Sequence, residues 1–201
     1  VIATIENSGY NTVLDMCTGT GAIAISVAHY TKAKVTASDI SKKALEVARE
    51  NAQNLNADVN FIESDLFENI NEKFDVIVSN PPYIESEVIP TLMEQVKDYE
   101  PMLALDGGKD GLDFYRNIIN QAKNYINPNG CIVFEIGYNQ GGQVKSLLEN
   151  AGFVCVVGVE AVAEHSLMHQ FGTGRPDQQD EKELIRFSEQ IMQKIETKML
   201  C

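Results

Sequence analysis

Short apolar runs alternate with helix-like segments along the chain, and this alternation predicts the fold. Six runs have the length and β-branched content of strands: Thr12–Asp15, Lys34–Asp39, Val59–Glu63, Phe74–Ser79, Cys131–Ile136 and Phe153–Val159. Helical periodicity occurs at Ala22–His29, Ser41–Asn54, Leu112–Ile126 and Gln143–Asn150. Ser41 is expected to cap the second helix, and Gly152 to end the last. The pattern predicts an α/β fold, a parallel sheet with helices on both faces.

Beyond residue 159 the pattern is less regular. His165–Phe171 is expected as a seventh strand, and Asp180–Leu200 carries the apolar stripe of an amphipathic helix that packs on the domain or on a partner. We therefore expect one domain over residues 1–175 and a helical tail over residues 176–201. Because the chain begins at Val1 and not at Met, we also expect an upstream segment.

Composition and charge narrow the class of protein. The hydrophobic content of 44% and the charged content of 22% are typical of a soluble globular protein. A net charge of -13 argues against extended contact with nucleic acid. No apolar run is long enough to span a bilayer, and no signal peptide opens the chain, so no membrane association is expected.

The cysteines and histidines of the sequence do not predict a metal site. The four cysteines lack a Cys-x-x-Cys pair, which indicates a reducing compartment and favours the cytoplasm. His165 and His169 have i, i+4 spacing, but no third ligand accompanies them, so no metal is expected.

Polar residues stand at or just past the carboxyl ends of five predicted strands. They are Asp15, Asp39, Asp65, Asn80 and Glu135. Open α/β sheets bind ligands beyond the carboxyl ends of their strands. The sequence therefore predicts a polar cleft at this edge.

A glycine-rich turn joins the first strand to the first predicted helix. Gly19 and Gly21 allow the backbone to approach a ligand closely, and the helix start offers free N–H groups. Asp39 lies 20 residues after Gly19 and could accept hydrogen bonds from ribose hydroxyls. Asp65 could accept a hydrogen bond from an adenine amino group, or it could be the carboxylate of a simple turn. This stretch alone fits NAD, S-adenosylmethionine or a tight turn without a ligand.

The segment Asn80-Pro81-Pro82-Tyr83 discriminates between these cofactors. Two prolines make it stiff, so the Asn80 side-chain oxygen and the Pro81 carbonyl can accept both hydrogens of one NH2 group. Such a pair orients an amide or aromatic amine nitrogen towards a methyl-bearing sulfonium, and Tyr83 can pack flat on the planar group. An NAD enzyme has no use for this tetrapeptide. The alternative interpretation is a rigid turn after a buried strand.

Taken together, these stretches resemble the HemK family of N5-glutamine methyltransferases. The matching stretches between residues 12 and 158 are DMCTGTGAIAISVA, ASDIS, SDLF, FDVIVSNPPYI, YEPMLALDGGKDGLDFYRNII and GCIVFEIGYNQGGQV. The Asn-Pro-Pro-Tyr motif is shared with enzymes that methylate adenine, whereas the Glu100–Arg116 stretch is more particular to the HemK family.

The resemblance implies a Rossmann-like class I methyltransferase fold, with a seven-stranded sheet whose last strand is antiparallel. It implies that Asn80, Pro81, Pro82 and Tyr83 surround a substrate glutamine in the Gly-Gly-Gln loop of a peptide chain release factor. It also implies that S-adenosyl-L-methionine is bound by Asp15, Cys17, Thr18, Gly19, Thr20, Gly21, Asp39, Ile40, Asp65, Leu66 and Asn80.

Two departures from the family keep alternatives open. Cys17 stands where the family usually has Gly, and its side chain either narrows the methionine end of the pocket or points away. We expect the chain to lack the family's N-terminal helical domain, which helps to dock the release factor. The alternatives are an N6-adenine or N2-guanine methyltransferase acting on RNA or DNA, a non-catalytic binding module with a degraded cofactor site, and an NAD oxidoreductase. The acidic charge disfavours the first, and the last lacks a proton-transfer pair.

Overall fold

A computed structural model describes residues 1–92 and 101–155 of the chain. The chain divides into two compact units, the first formed by Val1–Pro81 and Asp113–Ile136, and the second by the remaining residues. The predicted seventh strand, the tail helix, the domain boundary at residue 175, and residues 156–159 of the predicted sixth strand lie outside the described residues. Residues 153–155 are described and are not in a strand.

The first unit is built on a parallel sheet. Its described strands are β1 (Thr12–Met16), β2 (Lys34–Asp39), β3 (Val59–Glu63), β4 (Phe74–Ser79) and β5 (Ile126–Phe134). They pair in the order β3-β2-β1-β4-β5, and every neighbouring pair is parallel. The predicted α/β sheet is confirmed. The strand order reverses at β1 and β4, which in open α/β sheets is where ligands bind.

Helices connect these strands by crossovers. The α-helices of the described residues are α1 (Ile2–Ser8), α2 (Ala22–Tyr30), α3 (Lys42–Asn54), α4 (Met102–Leu105), α5 (Asp113–Ala122) and α6 (Gly141–Asn150), and a short 3-10 helix covers Ile89–Thr91. Because parallel crossovers are right-handed, α2 and α3 cover one face of the sheet and α5 covers the other. The Ser41 side chain accepts a hydrogen bond from the Ala44 amide at 3.3 Å, which confirms the predicted cap of α3.

The central strands are buried on both faces, which explains their continuous apolar sequence. On one face, Val13 and Val76 belong to a buried cluster that includes Val27 of α2. The alternate residues Leu14 and Ile77 point to the opposite face and are also fully buried. Strands covered on both sides read as unbroken apolar runs, so their positions could be predicted well.

The boundary between α5 and β5 differs from the prediction. The helix was expected to run to Ile126, but it ends at Ala122, and Ile126 already pairs with Phe74 of β4. The next paired residues are Val76 and Cys131, so the register shifts between them. The Asn-Pro-Asn-Gly sequence at residues 127–130 is therefore a bulge inside a long strand and not the end of a helix.

Helix α1 was not predicted. It has seven residues, of which Ile5 is the buried one, so it leaves no apolar periodicity in the sequence. None of the helices in the described part of the chain is long and apolar enough to cross a bilayer.

The second unit begins with Pro82 and contains α4 and α6 among its described elements. Ile84 forms a parallel bridge with Asp106. The Ile84 amide donates to the Leu105 carbonyl at 3.0 Å, and the Gly107 amide donates to the Ile84 carbonyl at 2.8 Å. Gly152 follows α6 with a φ of 82°, and its amide donates back to Glu149, which confirms the predicted end of this helix.

The Asp75 carboxylate joins the start of β1 to the β5 bulge. It accepts hydrogen bonds from the amides of Asn11 at 2.8 Å and Thr12 at 3.0 Å, and from the Asn127 side chain at 2.8 Å. Partial burial acts to raise the pKa of Asp75, but these hydrogen bonds outweigh it, and the pKa lies below its ordinary value. The ionised carboxylate therefore stabilises the fold.

Replacement of Asp75 with Ala should lower the free energy of unfolding at pH 7 by about 1.5–3 kcal/mol, the value of hydrogen bonds to a charged group. The Asp75 contribution is complete above the ordinary aspartate pKa of about 3.9 and is lost as pH falls through the lower folded-state pKa. Urea unfolding at pH 7 and at acidic pH measures it, with the exposed Asp58→Ala as control. Equal midpoints for Asp75→Ala and wild type at pH 7 would contradict this role.

Candidate functional site

The five polar residues predicted at strand ends lie at one edge of the first unit. Asp15 is the second-last residue of β1, Asp39 ends β2, and Asn80 follows β4. Asp65 and Glu135 come shortly after β3 and β5. Because all five strands are parallel, their carboxyl ends meet at this edge, which confirms the predicted arrangement.

Asp15 anchors the glycine-rich turn. Its side chain is only 1% exposed. The Oδ2 atom accepts a hydrogen bond from the Thr18 hydroxyl at 2.5 Å and from the Ala24 amide at 3.0 Å. The Oδ1 atom is buried and has no hydrogen-bond partner among the described residues. Since buried polar atoms are normally satisfied, this oxygen suits a donor from a ligand.

Burial raises the pKa of Asp15 to about 6, although the hydrogen bonds from Thr18 and Ala24 act to lower it. The nearby charge of Asp39 adds to the increase. A cationic group at the free oxygen would favour the charged carboxylate again. The residue is thus suited to a positively charged ligand group.

The two glycines of the turn have different surroundings. Gly19 has a φ of 56°, and a Cβ there would meet nothing within 4 Å, so its backbone borders open space. Gly21 has a φ of 84°, and a Cβ there would lie 3.0 Å from Ile25 Cδ1 and 3.1 Å from Ala48 Cβ. Close packing of α2 on α3 therefore requires Gly21, whereas Gly19 leaves room for a ligand.

Asp39 is held in place by backbone amides. Its Oδ2 atom accepts from the Gly19 amide at 2.9 Å, and its Oδ1 atom from the Ser41 amide at 2.8 Å. Each carboxylate oxygen has a further lone pair, so both can still accept a hydroxyl. The next residue, Ile40, is 47% exposed and offers an apolar surface beside the carboxylate.

The turn after β3 has a strained residue. Leu66 has a φ of 47°, which is uncommon for a bulky side chain. The buried Ser64 hydroxyl donates to the Leu66 carbonyl at 2.8 Å and accepts from the Asn69 amide at 3.0 Å. Asp65 is exposed. Ser64 was not identified from the sequence, because one polar residue in a loop gives no pattern. Such strained residues cluster at functional sites.

Cys17 adopts the left-handed conformation, with a φ of 59°. This region disfavours a residue with a Cβ, so the backbone at this position suits the glycine that the resemblance implies there. Burial raises the pKa of the Cys17 thiol to about 12, and the charge of Asp39 acts in the same direction. The thiol therefore stays protonated and unreactive at neutral pH.

The segment after β4 passes from one unit to the other. Asn80 is exposed although Ser79 and Pro81 beside it are buried, and the first of the two segments that form the first unit ends at Pro81. The buried Ser79 hydroxyl, which sequence reasoning missed, donates to the Met16 carbonyl at 2.7 Å and joins β4 to β1 at this edge. Asn80 and Pro81 thus share the first unit with the glycine-rich turn, and Pro82 opens the second.

Within the second unit, the backbone of Tyr83 is closely packed. Its carbonyl accepts a hydrogen bond from the Gln140 side chain at 2.9 Å. A Cβ on Gly107 would lie 2.7 Å from Tyr83 Cα, so the backbone of Gly107 packs directly on that of Tyr83. No group of three potential metal ligands occurs in the described residues, and the predicted His165–His169 pair lies outside them.

Known proteins share this sequence. Residues 1–99 match the methyltransferase small domain. The release factor glutamine methyltransferase of Clostridium acetobutylicum is 48% identical over 162 residues, covering 78% of this chain and 57% of that protein. The predicted resemblance to release factor glutamine methyltransferases is therefore confirmed. The release factor glutamine methyltransferase of Clostridium botulinum is 43% identical over 169 residues, covering 81% of this chain and 60% of that protein.

The chain therefore spans 57–60% of the length of these two curated relatives. A solved ribosomal protein L11 methylase from Lactobacillus delbrueckii subsp. bulgaricus has a similar fold, with a TM-score of 0.56 at 24% identity, over 80% of this chain and 71% of that one. These matches confirm the predicted Rossmann-like class I methyltransferase fold. The described residues supply five parallel strands of the predicted seven-stranded sheet.

The raised pKa of Asp15 makes stability depend on pH. The unfolded chain loses this proton near pH 4 and the folded chain near pH 6, so stability should fall by about 3 kcal/mol as pH rises through this window. Asp15→Asn keeps the shape without the charge and should show a flatter profile. Urea unfolding between pH 4 and pH 7 measures both, with Asp58→Asn as the matched control. If the free energy of unfolding of Asp15→Asn depended on pH as strongly as that of the wild type, ionisation of Asp15 would not destabilise the folded state.

Proposed function

We propose that this protein belongs to the HemK family and transfers a methyl group from S-adenosyl-L-methionine to the side-chain nitrogen of a protein glutamine. The proposed substrate is the Gly-Gly-Gln loop of a peptide chain release factor. The observation that carries the proposal is the 48% identity to a release factor glutamine methyltransferase, over a stretch that includes Asn80–Tyr83 at the end of β4. We also propose that residues 1–175 form the catalytic domain, and that the protein works in the cytoplasm, where translation takes place.

The residues at the sheet edge fit the proposed cofactor. The free Oδ1 of Asp15 suits the cationic amino group of the methionine part, and the open space beside Gly19 leaves room for it. The fixed Asp39 carboxylate suits the ribose hydroxyls, and exposed Ile40 suits the face of the adenine. The proposed cofactor-binding residues are Asp15, Cys17, Thr18, Gly19, Thr20, Gly21, Asp39, Ile40, Asp65, Leu66 and Asn80.

The proposed chemistry requires positioning more than proton transfer. When bound, the cofactor would supply an electrophilic methyl group on its sulfonium, and S-adenosylhomocysteine would leave as the sulfur–methyl bond breaks. An amide nitrogen is a poor nucleophile because its lone pair is delocalised. The Asn80 side-chain oxygen and the Pro81 carbonyl would accept the two amide hydrogens and turn the nitrogen lone pair towards the methyl group. Such positioning can supply roughly 7–11 kcal/mol of the barrier.

The following residues complete the proposed substrate site. Pro81 and Pro82 fix two φ angles, so the acceptors do not need to be ordered when substrate binds. The Tyr83 ring would stack on the planar amide. No strong base is required, because a methylated amide nitrogen loses its extra proton readily to water.

Methylation of adenine or guanine is the second candidate, because other amino-methyltransferases share the Asn-Pro-Pro-Tyr motif. The net charge of -13 disfavours it, since enzymes that act on nucleic acid need basic surfaces. The relatives described above are named for glutamine methylation and support the protein substrate.

Asn80→Ala should lower kcat/KM for a purified release factor by roughly 10²–10³-fold, the usual effect of removing one preorganised hydrogen-bonding group. Mass spectrometry of the Gly-Gly-Gln peptide measures the added methyl group. Asn60→Ala, an exposed asparagine on β3, is the matched control and should react at the wild-type rate.

An RNA oligonucleotide with unpaired adenines tests the second candidate in the same assay. If the RNA were methylated and the release factor were not, nucleic acid would be the substrate in place of the protein glutamine. A folded wild-type protein that methylates neither substrate would contradict the proposed activity.

A further inference from the structure

Gln140 carries a buried side-chain amide in the second unit whose two N–H donors are both used. The residue is 4% exposed and directly precedes α6. Its Nε2 atom donates to the Tyr83 carbonyl at 2.9 Å and to the Gly111 carbonyl at 3.1 Å. Its Oε1 atom accepts from the Gly137 amide at 2.9 Å. One side chain therefore joins two backbone segments that are distant in sequence, at Tyr83 and Gly111, to the neighbouring Gly137.

The glycines around this amide leave no space for a side chain. A Cβ on Gly111 would lie 2.6 Å from Gln140 Nε2, and a Cβ on Gly137 would lie 2.9 Å from Gln140 Oε1. Both distances are shorter than real Cβ contacts. The Gly111 and Gly137 backbones therefore enclose the Gln140 amide closely, and the amide has one arrangement that satisfies all its bonds.

The backbone of Gln140 is also held in place. Its own carbonyl accepts from the Val144 amide at 2.9 Å, so the residue begins the hydrogen bonding of α6. Val144 is buried, which anchors the first turn of this helix. A side chain that starts from an anchored helix can hold the Tyr83 carbonyl in place.

We infer that Gln140 is a positioning residue for the Asn80–Tyr83 segment. The two prolines make this segment stiff, so a fixed Tyr83 carbonyl limits the directions that the segment can take. Gln140 acts through the Tyr83 backbone and is not assigned a contact with substrate. This inference rests on the proposed function, because it assumes that the segment orients a substrate amide.

Amide hydrogen exchange tests the structural part. Gln140→Leu has a similar size but makes no side-chain hydrogen bonds. We expect faster exchange at Gly137, which loses its acceptor, and at Ile84 and Gly107, which pair next to Tyr83. Residues 15–24 of the first unit should exchange as in the wild type. Gln143→Leu, an exposed glutamine on α6, is the matched control and should change none of these amides.

Kinetics test the functional part. Gln140→Leu should lower kcat/KM for a release factor by about 10–100-fold, because a misplacement of about 1 Å can have this effect. Its dissociation constant for S-adenosylhomocysteine should match that of the wild type. For Gln143→Leu, both kcat/KM and this dissociation constant should match the wild type. A thermal unfolding curve for each variant shows that it is folded at the assay temperature.

Gln140→Glu separates hydrogen bonding from packing. The ionised carboxylate keeps the shape but cannot donate to the two carbonyls, whereas the protonated acid can donate to one. Burial raises a carboxyl pKa, so the activity of this variant relative to wild type should increase as pH falls. Gln140→Leu should show no such increase.

The outcomes are distinguishable. Wild-type exchange or wild-type kcat/KM in Gln140→Leu, or equal pH profiles for the Glu and Leu variants, would overturn the inference alone. Failure of the folded wild type to methylate a release factor would overturn the proposed function and this inference with it.

Discussion

The carboxylate of Asp15 is buried at the end of the central strand, and the arrangement of the proposed site depends on it. Burial of a charge is unfavourable, which is why the pKa of this group rises to about 6. Hydrogen bonds from Thr18 and Ala24 offset part of this cost and fix both ends of the glycine-rich turn. The turn then directs the Gly19 amide to Asp39, so two neighbouring strand ends are held in register.

Conformationally restricted residues follow β1, β3 and β4. Cys17 and Leu66 both have positive φ angles, and the second is braced by Ser64. The segment Asn80–Tyr83 contains two adjacent prolines. Strain and stiffness in residues that directly follow strands are typical of sites that must be ordered before a ligand arrives. This preorganisation is consistent with a reaction that depends on orienting a weak nucleophile.

The sequence predicted the features that depend on local patterns. The central strands are continuous apolar runs, Ser41 caps α3, and the polar residues follow the strands directly, so each could be predicted from neighbours in the chain. The β5 bulge could not, because it arises from pairing of Phe74 with Ile126 across the sheet. The role of Gln140 could not be predicted either, since its partners Tyr83 and Gly111 are 57 and 29 residues away in the sequence.

Titration calorimetry of the wild-type chain with S-adenosylhomocysteine and, in parallel, with NAD+ tests the central claim most directly. Both ligands offer a ribose to Asp39, but the cationic amino group that we place at Asp15 belongs to S-adenosylhomocysteine. We expect about micromolar binding of S-adenosylhomocysteine, weakening of that binding in Asp15→Asn, and no heat with NAD+. Binding of NAD+ without S-adenosylhomocysteine, or equal affinity of wild type and Asp15→Asn, would contradict the assignment of this sheet edge.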